Sequence, residues 1–433
     1  MWRMRGISSK RRRGWPAGGR RFGRKLAAAL GAALTVTGLA SARVVTVQPG
    51  GEHATVAAGV AAARAHDTVA VKAGVYREHG ITIDRPLTLA GGEGAVVDAD
   101  GAGGIFTVTA PDVEIRNLRL RGVPTSFTAE HAAIQLEGAV RATIENNSIE
   151  ACFFGIYAAN SHTCRLQGNI IRGAQTRLTS SGNGIHLWYC RDITILENTI
   201  AGHRDGIYME FVRAGTVDRN RCEENLRYGL HFMFSDSCQY ADNLFRRNGA
   251  GVAVMYTSNV LMENNTFEQS WGGASYGVLL KDIRDSRVTG NRFCDNSTGV
   301  HMEGSDRVYV AGNLFAGNGW ALKLMANCLD NTVSANDFVD NSFAVATNSR
   351  QNNSRFEGNY WSGYRGVDLD RDGYGDLPFR PVSLFSLLVE SHPPTLVLLR
   401  SLLVEVLDLA ERAMPTLTPE TLVDRRPRMR PNL

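Results

Sequence analysis

One asparagine returns ten times at nearly fixed intervals: Asn147, Asn169, Asn198, Asn220, Asn243, Asn265, Asn291, Asn313, Asn336 and Asn359. The spacings are 22, 29, 22, 23, 22, 26, 22, 23 and 23, a base period of 22 or 23 with two insertions. A second column keeps step: Gly155, Gly184, Gly206, Gly229, Gly251, Gly277 and Gly299, each followed by Ile, Leu or Val, with Ala321 and Ala344 in the last copies. A unit this short holds two or three strands and no crossover helix. Its copies therefore stack as coils of a parallel β-helix, an all-β solenoid with equivalent residues about 4.8 Å apart. A leucine-rich-repeat horseshoe fits worse, because the leucine spacing of that motif is absent. The asparagines read as structural, tolerating a left-handed turn and bonding amide to amide between coils.

The strand that starts at each glycine carries the information about function. Its copies include Gly-Ile-His-Leu-Trp (184–188), Gly-Ile-Tyr-Met-Glu (206–210), Gly-Leu-His-Phe-Met (229–233), Gly-Val-Ala-Val-Met (251–255) and Gly-Val-His-Met-Glu (299–303). The first and third residues after the glycine are apolar and point inward, so Met209 and Met302 belong to the core. The second and fourth then point outward. The outward columns run Tyr157, His186, Tyr208, His231, Ala253, Leu279, His301, Lys323 and Ala159, Trp188, Glu210, Met233, Met255, Lys281, Glu303, Met325. A solvated face would be richer in Thr, Ser, Lys and Asp. Extra residues at about 173–183 and 268–276, and a third excursion at 123–132, predict loops that wall this strip and turn a flat sheet into a site.

The ends of the chain differ from its body. Residues 1–42 hold ten Lys and Arg and no Asp or Glu, which leaves 37 basic against 43 acidic residues elsewhere. A body of net negative charge argues against nucleic-acid binding. The basic start, the apolar run Leu26–Ala40 and the small-residue pattern Ala40-Ser41-Ala42 predict an export signal, with an uncleaved anchor as the alternative. Arg20-Arg21 leaves Sec and twin-arginine export both open. The mature protein is thus expected outside the cytoplasm. The seven cysteines form no Cys-x-x-Cys pair and are odd in number, so they read as buried thiols rather than disulfides or metal ligands. The chain divides into the signal (1–42), an N-terminal cap with a short Ala-rich helix and first coils (43–135), regular rungs (136–366), an Asp-rich loop (367–382) and a C-terminal helical docking segment with an extended tail (383–433).

Three chemistries compete on the Gly strand. A β-helix that binds or cleaves polysaccharide is the alternative; cleavage needs clustered carboxylates, or a carboxylate with a base and a cationic clamp, and Glu210 and Glu303 lie four rungs apart, about 19 Å. Soft-metal handling fits better: thioether and imidazole suit Cu(I), and His186, His231, Met233, Met255 and His301 are the candidate copper ligands. Without a metal, the same residues make a docking patch. The candidate partner contacts are Trp188, Tyr208, Glu210 and Trp271, with Leu387, Leu398 and Leu402 in the C-terminal segment. That segment, 384–389 and 394–407, predicts amphipathic helices for a membrane surface or a partner, or a cap on the last coil. Asp368, Asp370, Asp372 and Asp376 alternate toward a turn like the ligands of a calcium loop. Phe379 stands where the EF-hand pattern wants Glu, and a hydrated acidic turn is the alternative.

The run Gly-Asn-Tyr-Trp-Ser-Gly-Tyr-Arg-Gly-Val-Asp-Leu-Asp-Arg-Asp-Gly-Tyr-Gly-Asp that begins at Gly358 and continues to Glu390 resembles the C-terminal signature of the NosD family. So do Gly-Asn-Gly-Ile-His-Leu-Trp (182–188), Tyr-Gly-Leu-His-Phe-Met-Phe-Ser (228–235) and Tyr-Gly-Val-Leu-Leu-Lys-Asp-Ile (276–283). The resemblance implies a right-handed parallel β-helix without catalysis, a periplasmic accessory protein for nitrous oxide reductase. It further implies work beside the membrane subunits of an ABC transporter and a copper chaperone lipoprotein, at the periplasmic face of the inner membrane. The C-terminal helices would dock on the transporter. The β-helix would engage the chaperone or the reductase.

Overall fold

A computed structural model describes residues 42–433 apart from 127, 175–176, 350–351, 400, 415–416, 419–421 and 433. The export signal expected over 1–42 thus lies, but for Ala42, outside the described residues. The rest is a parallel β-solenoid of three sheets with 14, 12 and 13 strands, every strand pairing with its equivalent in the next coil. Within one coil the chain runs from the Gly strand (Phe154–Ala159) to the first sheet (Arg165–Gln167), then the third (Ile170–Arg172), and enters the next Gly strand at Ile185.

The Asn column sits at the turn between the first and third sheets. From Asn169 onward each side-chain oxygen accepts from the backbone N–H and the amide of the Asn one coil before, as with Asn147 on Asn169 Oδ1 at 3.0 and 3.1 Å. The expected left-handed turn is present but shifted. The residue before each Asn takes it (Asn146, Gly168, Glu197, Arg219), while the Asn itself stays out of that region. The side chain is then free to reach along the stack. A second ladder, Asn225–Asn248 and Asn296–Asn318–Asn341, lines the turn before the Gly strand. The glycines of the Gly column are there for room. A Cβ on Gly229 would lie 2.7 Å from the Phe245 ring and 2.8 Å from the Gly251 carbonyl oxygen.

Both ends are closed. Helix α1 (Val56–Ala62) is capped by Thr55 and by the Glu78 carboxylate, which accepts from the N–H groups of Val56 and Ala57; its Val56 and Val60 bury over the first coil. At the other end the tail, read from sequence as an extended arm, folds back. Asp424 takes the next place in the Asn ladder: its Oδ2 accepts from Asn359 N at 2.9 Å, Asn359 Nδ2 at 3.0 Å and Trp361 Nε1 at 3.1 Å. Arg428 follows with a 2.7 Å ion pair to buried Asp337. The chain between last coil and tail forms helices α2 (Leu384–Ser391) and α3 (Leu402–Ala413), joined by a 3-10 turn (Pro393–Leu398). Phe385 and Val389 of α2 pack on Phe343 of the last Gly strand, so the helices lie against the outer face of that sheet. All seven cysteines are free, and six are buried.

Candidate functional site

The register confirms the two outward columns. His186 pairs with Tyr208, Tyr208 with His231 and His231 with Ala253, while Glu210 pairs with Met233 and Met233 with Met255. Met209 and Met302 are fully buried in the core. The outward face is far less open than an alternating strand implies. Tyr157, Tyr208, His231, Ala253 and Leu279 are all buried, because residues preceding the glycines, Arg227 and Tyr228 among them, fold over the second-position column. The fourth-position column stays accessible: Met233 and Met255 are half-buried and Trp188 is exposed.

His231 is the most constrained of the candidates. Its Nδ1 faces Arg227 Nη2 at 3.3 Å and the buried Asp205 carboxylate at 3.7 Å. Its Nε2 is buried without a hydrogen-bond partner. Arg227 binds Asp205 through two guanidinium nitrogens, Nη2 and Nε, the latter at 2.8 Å. Burial alone would raise the Asp205 carboxyl, but hydrogen bonds from Arg227 and His231 hold it below its ordinary range. The His231 ring lies between those of Tyr208 and Tyr228, at 4.9 and 4.8 Å between centroids. The Tyr208 hydroxyl, pushed up to about 12 by burial and by Glu210, stands 3.2 Å from Glu210 Oε2 and 3.6 Å from Met233 Sδ. His231, Met233 and Met255 thus share one face of two adjacent rungs, with the imidazole buried and the two thioethers half-buried. A carboxylate behind the far ring nitrogen is the usual support of a metal-binding imidazole.

The other two histidines do not join it. His186 is separated from His231 by the Tyr208 ring, bonds Asn183 at 3.1 Å and is driven down to about 3 by burial and Arg204. His301 lies three rungs from His231, beyond Ala253 and Leu279, roughly 14 Å along the stack. The loops also divide. Those at 123–132 and 173–183 meet each other, Thr125 Oγ1 donating to Ser180 O. Trp271 and its loop instead face the C-terminal helices, around a separate cavity. Glu210 and Glu303 stand four rungs apart, as the spacing requires.

One feature of this face was missed in the sequence. The fifth residue after each glycine sits in a left-handed turn with φ between 50° and 57°: Asn160, Tyr189, Phe211, Phe234, Tyr256, Asp282 and Gly304. Asn, Asp and Gly are the ordinary occupants of such a turn, and bulky aromatics are outliers there. The four aromatics fall on the four rungs that carry Trp188, Glu210, Met233 and Met255. Their rings stack in sequence at 4.6, 5.2 and 5.2 Å, with Trp188 edge-on to Tyr189 at 4.7 Å. Tyr189, Phe234 and Tyr256 are exposed, and the Arg191 and Arg213 side chains beside the ladder also reach solvent. The signal was present as an aromatic directly after the fourth-position residue in four consecutive copies.

The remaining candidates lie at the C-terminal end. Asp368, Asp370 and Asp372 bring carboxylate oxygens within 4.8 Å of one another. Asp372 also pairs with Arg426 at 2.7 Å, and Asp376 accepts from Leu369 N at 2.7 Å. Leu387 and Leu398 are half-buried, whereas Leu402 is exposed along with Leu403, Val406 and Leu409 of α3. Among the described residues no helix is long and apolar enough to cross a membrane.

Comparison with known proteins agrees with this architecture. A family 28 exopolygalacturonase of Yersinia enterocolitica superposes with a TM-score of 0.52 at 10% identity, over 75% of this chain and 79% of that one, a likeness of fold alone. Residues 167–366 match the family described as "Periplasmic copper-binding protein (NosD)". Two relatives, each named "Probable ABC transporter binding protein NosD", come from Stutzerimonas stutzeri and Pseudomonas aeruginosa. The first is 30% identical over 83% of this chain and 86% of its own length, the second 31% identical over 80% and 85%. Solenoid, signature motifs and similarity over four-fifths of the chain converge: the chain belongs to the NosD family.

Proposed function

We propose that this protein is a non-catalytic periplasmic scaffold for assembling the copper site of nitrous oxide reductase, and that copper passes over the strip at His231, Met233 and Met255. The observation that carries the reading is the pairing of Met233 with Met255 on adjacent rungs of the face that also carries His231. Two thioethers and an imidazole suit Cu(I) as a transient cargo. For Nε2 to ligate, the ring proton sits on Nδ1 toward Asp205 and Arg227 turns wholly to that carboxylate. His186 and His301 stand apart from this donor set and are secondary candidates.

The family description as copper-binding and periplasmic supports the cargo and the compartment, and the relatives' names support association with an ABC transporter. The apolar outer face of α3, with Leu402 at 74% and Leu409 at 67% exposure, suits the transporter's membrane subunits at the periplasmic face of the inner membrane. The aromatic ladder with Trp188 suits a copper chaperone lipoprotein or the reductase itself. A weakly held calcium at Asp368, Asp370 and Asp372, displacing Arg426 from Asp372, belongs to the same reading as a brace for the capped end. A rise in melting temperature on adding calcium, absent from the Asp370→Asn variant, tests it.

The decisive experiment is anaerobic Cu(I) titration of the chain from Arg43 onward, with and without His231→Ala, Met233→Leu and Met255→Leu together, followed by capture of apo reductase. Loss of copper with capture retained supports handover at the strip. Unchanged copper stoichiometry in the triple variant overturns it.

A further inference from the structure

Several exposed turn arginines of this solenoid are neutralised along the stack. Arg141, Arg219 and Arg307 each pair with a carboxylate one coil earlier, Asp112, Glu197 and Asp285, at 2.7, 3.1 and 2.7 Å. Arg191 and Arg213 break this pattern. They hold the same position on adjacent coils, two residues beyond Tyr189 and Phe211, with His162 on the coil before and Asp236 on the coil after. Both are exposed, and among the described residues neither makes an ion pair. Asp236 does not reach Arg213; its Oδ1 accepts from the Ser258 N–H and hydroxyl at 2.8 and 2.9 Å. Like charges facing each other on neighbouring strands repel, and a carboxylate brought to both relieves that repulsion. The pair adjoins the exposed rings of Trp188, Tyr189, Phe234 and Tyr256, which span three coil steps, about 14 Å. Aromatic residues and Arg are the types that concentrate binding energy at protein interfaces. Past Tyr256 the sign changes, in a groove lined by Asp236, Asp282 and Asp306 with Arg284.

We propose that this surface docks the acidic face of a partner protein, whose carboxylates meet Arg191 and Arg213 while its apolar side chains cover Trp188, Tyr189, Phe234 and Tyr256. The inference rests on the reading of the ladder as a contact for the chaperone or the reductase, and adds the charge that the partner must carry. Met233 and Met255 directly precede Phe234 and Tyr256 in the chain, so a partner seated here also covers the thioethers. The Asp-lined groove repels an acidic patch at the far end, so the partner settles in one direction along the stack. That groove also disfavours an anionic membrane, which is drawn to clustered positive charge. Rings that cover each other's faces leave none for nucleic-acid bases to stack on.

The test measures capture of apo reductase, and separately of the chaperone's soluble domain, by the purified full chain at about 50 and about 300 mM salt. Wild type is expected to capture at least one of them, more weakly at the higher salt. Arg191→Glu with Arg213→Glu is expected to weaken that capture roughly tenfold and to flatten its salt dependence, with Cu(I) stoichiometry and melting temperature unchanged. Asp282→Lys, at the other end of the strip, is expected not to weaken it. Undiminished capture in the double variant overturns the acidic partner and leaves the reading of the ladder standing. Capture of neither protein by wild type overturns both. Wild-type binding to phosphatidylglycerol vesicles, lost in the double variant, assigns the surface to a membrane and overturns the proposal.

Discussion

The protein contains two aromatic stacks of similar pitch, one inside the coil and one outside. Inside, Phe245, Phe267, Phe293, Phe315, Phe338 and Trp361 stack at 4.2–5.3 Å with interplanar angles of 4–11°. Outside, Tyr189, Phe211, Phe234 and Tyr256 stack at 4.6–5.2 Å. The inner rings are at most 2% exposed, whereas Phe234 and Tyr256 are each 42% exposed. The outer four also occupy left-handed backbone, which costs roughly 1–2 kcal/mol per residue. Stacking returns about 0.5–1.5 kcal/mol for each pair. Four such residues cost more than their three stacked pairs return, so the outer ladder adds nothing net to stability, and an Asn, as at position 160, would serve the fold at least as well. Geometry alone does not distinguish a structural stack from a surface meant for contact. Burial and backbone strain do. The same comparison bears on sugars: the outer rings cover each other's faces and offer edges, which disfavours the face-on stacking that a polysaccharide surface uses.

The largest expected effect tests the inner stack. Phe293→Ala removes a fully buried ring between two others and should lower stability by about 3–5 kcal/mol in denaturant unfolding. A loss below ~1 kcal/mol would break the contrast. The end of that stack should be nearly as sensitive. Asp424→Ala leaves the Trp361 indole N–H and the Asn359 backbone N–H buried without an acceptor, at a cost of roughly 2–4 kcal/mol in the same assay.

Between the stacks, the buried histidines set a pH dependence. Burial holds His186 at about 3 and His203 at about 4, both below the unfolded value. The unfolded chain therefore binds more protons as pH falls. Their contribution is complete above about pH 6.5 and declines toward pH 4 by about 1.4 kcal/mol per pH unit for each histidine. Melting temperatures measured across that window should fall accordingly, with a shallower slope in His203→Asn. The smallest effect belongs to the outer ladder. Phe234→Asn should leave stability unchanged or raise it by up to about 1 kcal/mol, while weakening the capture of reductase or chaperone proposed above. A clear loss of stability would make the ladder structural after all.

Much of the fold was written in periodicity. The Asn and Gly columns gave coil length, stacking register and the inward place of Met209 and Met302, because a solenoid repeats one local solution. What periodicity did not carry was anything that breaks the repeat. The burial of His231 depends on Arg227 and Tyr228 closing over the strand, a packing event that alternation does not encode. Asp424 completes the Asn ladder from 65 residues beyond Asn359, with no spacing rule to announce it. His186 and His301 shared a column with His231, yet a column is a line, and one intervening ring or two intervening rungs suffice to separate donors. The outer aromatics were visible as letters, but their meaning required knowing that the turn beneath them is left-handed.

The coil count itself has a mechanical meaning. Met255 and Lys323, the residue that ties α2 to the solenoid, lie three coils apart, about 14 Å. With caps at both ends and one register throughout, that separation changes only in whole steps of about 4.8 Å. The solenoid between them is a gauge block: it holds the Met233–Met255 strip and the C-terminal helices at a fixed stand-off. Inserting one 22-residue coil between Gly277 and Gly299 would keep every side chain on its proper face and still place the two out of reach of any partner that must touch both.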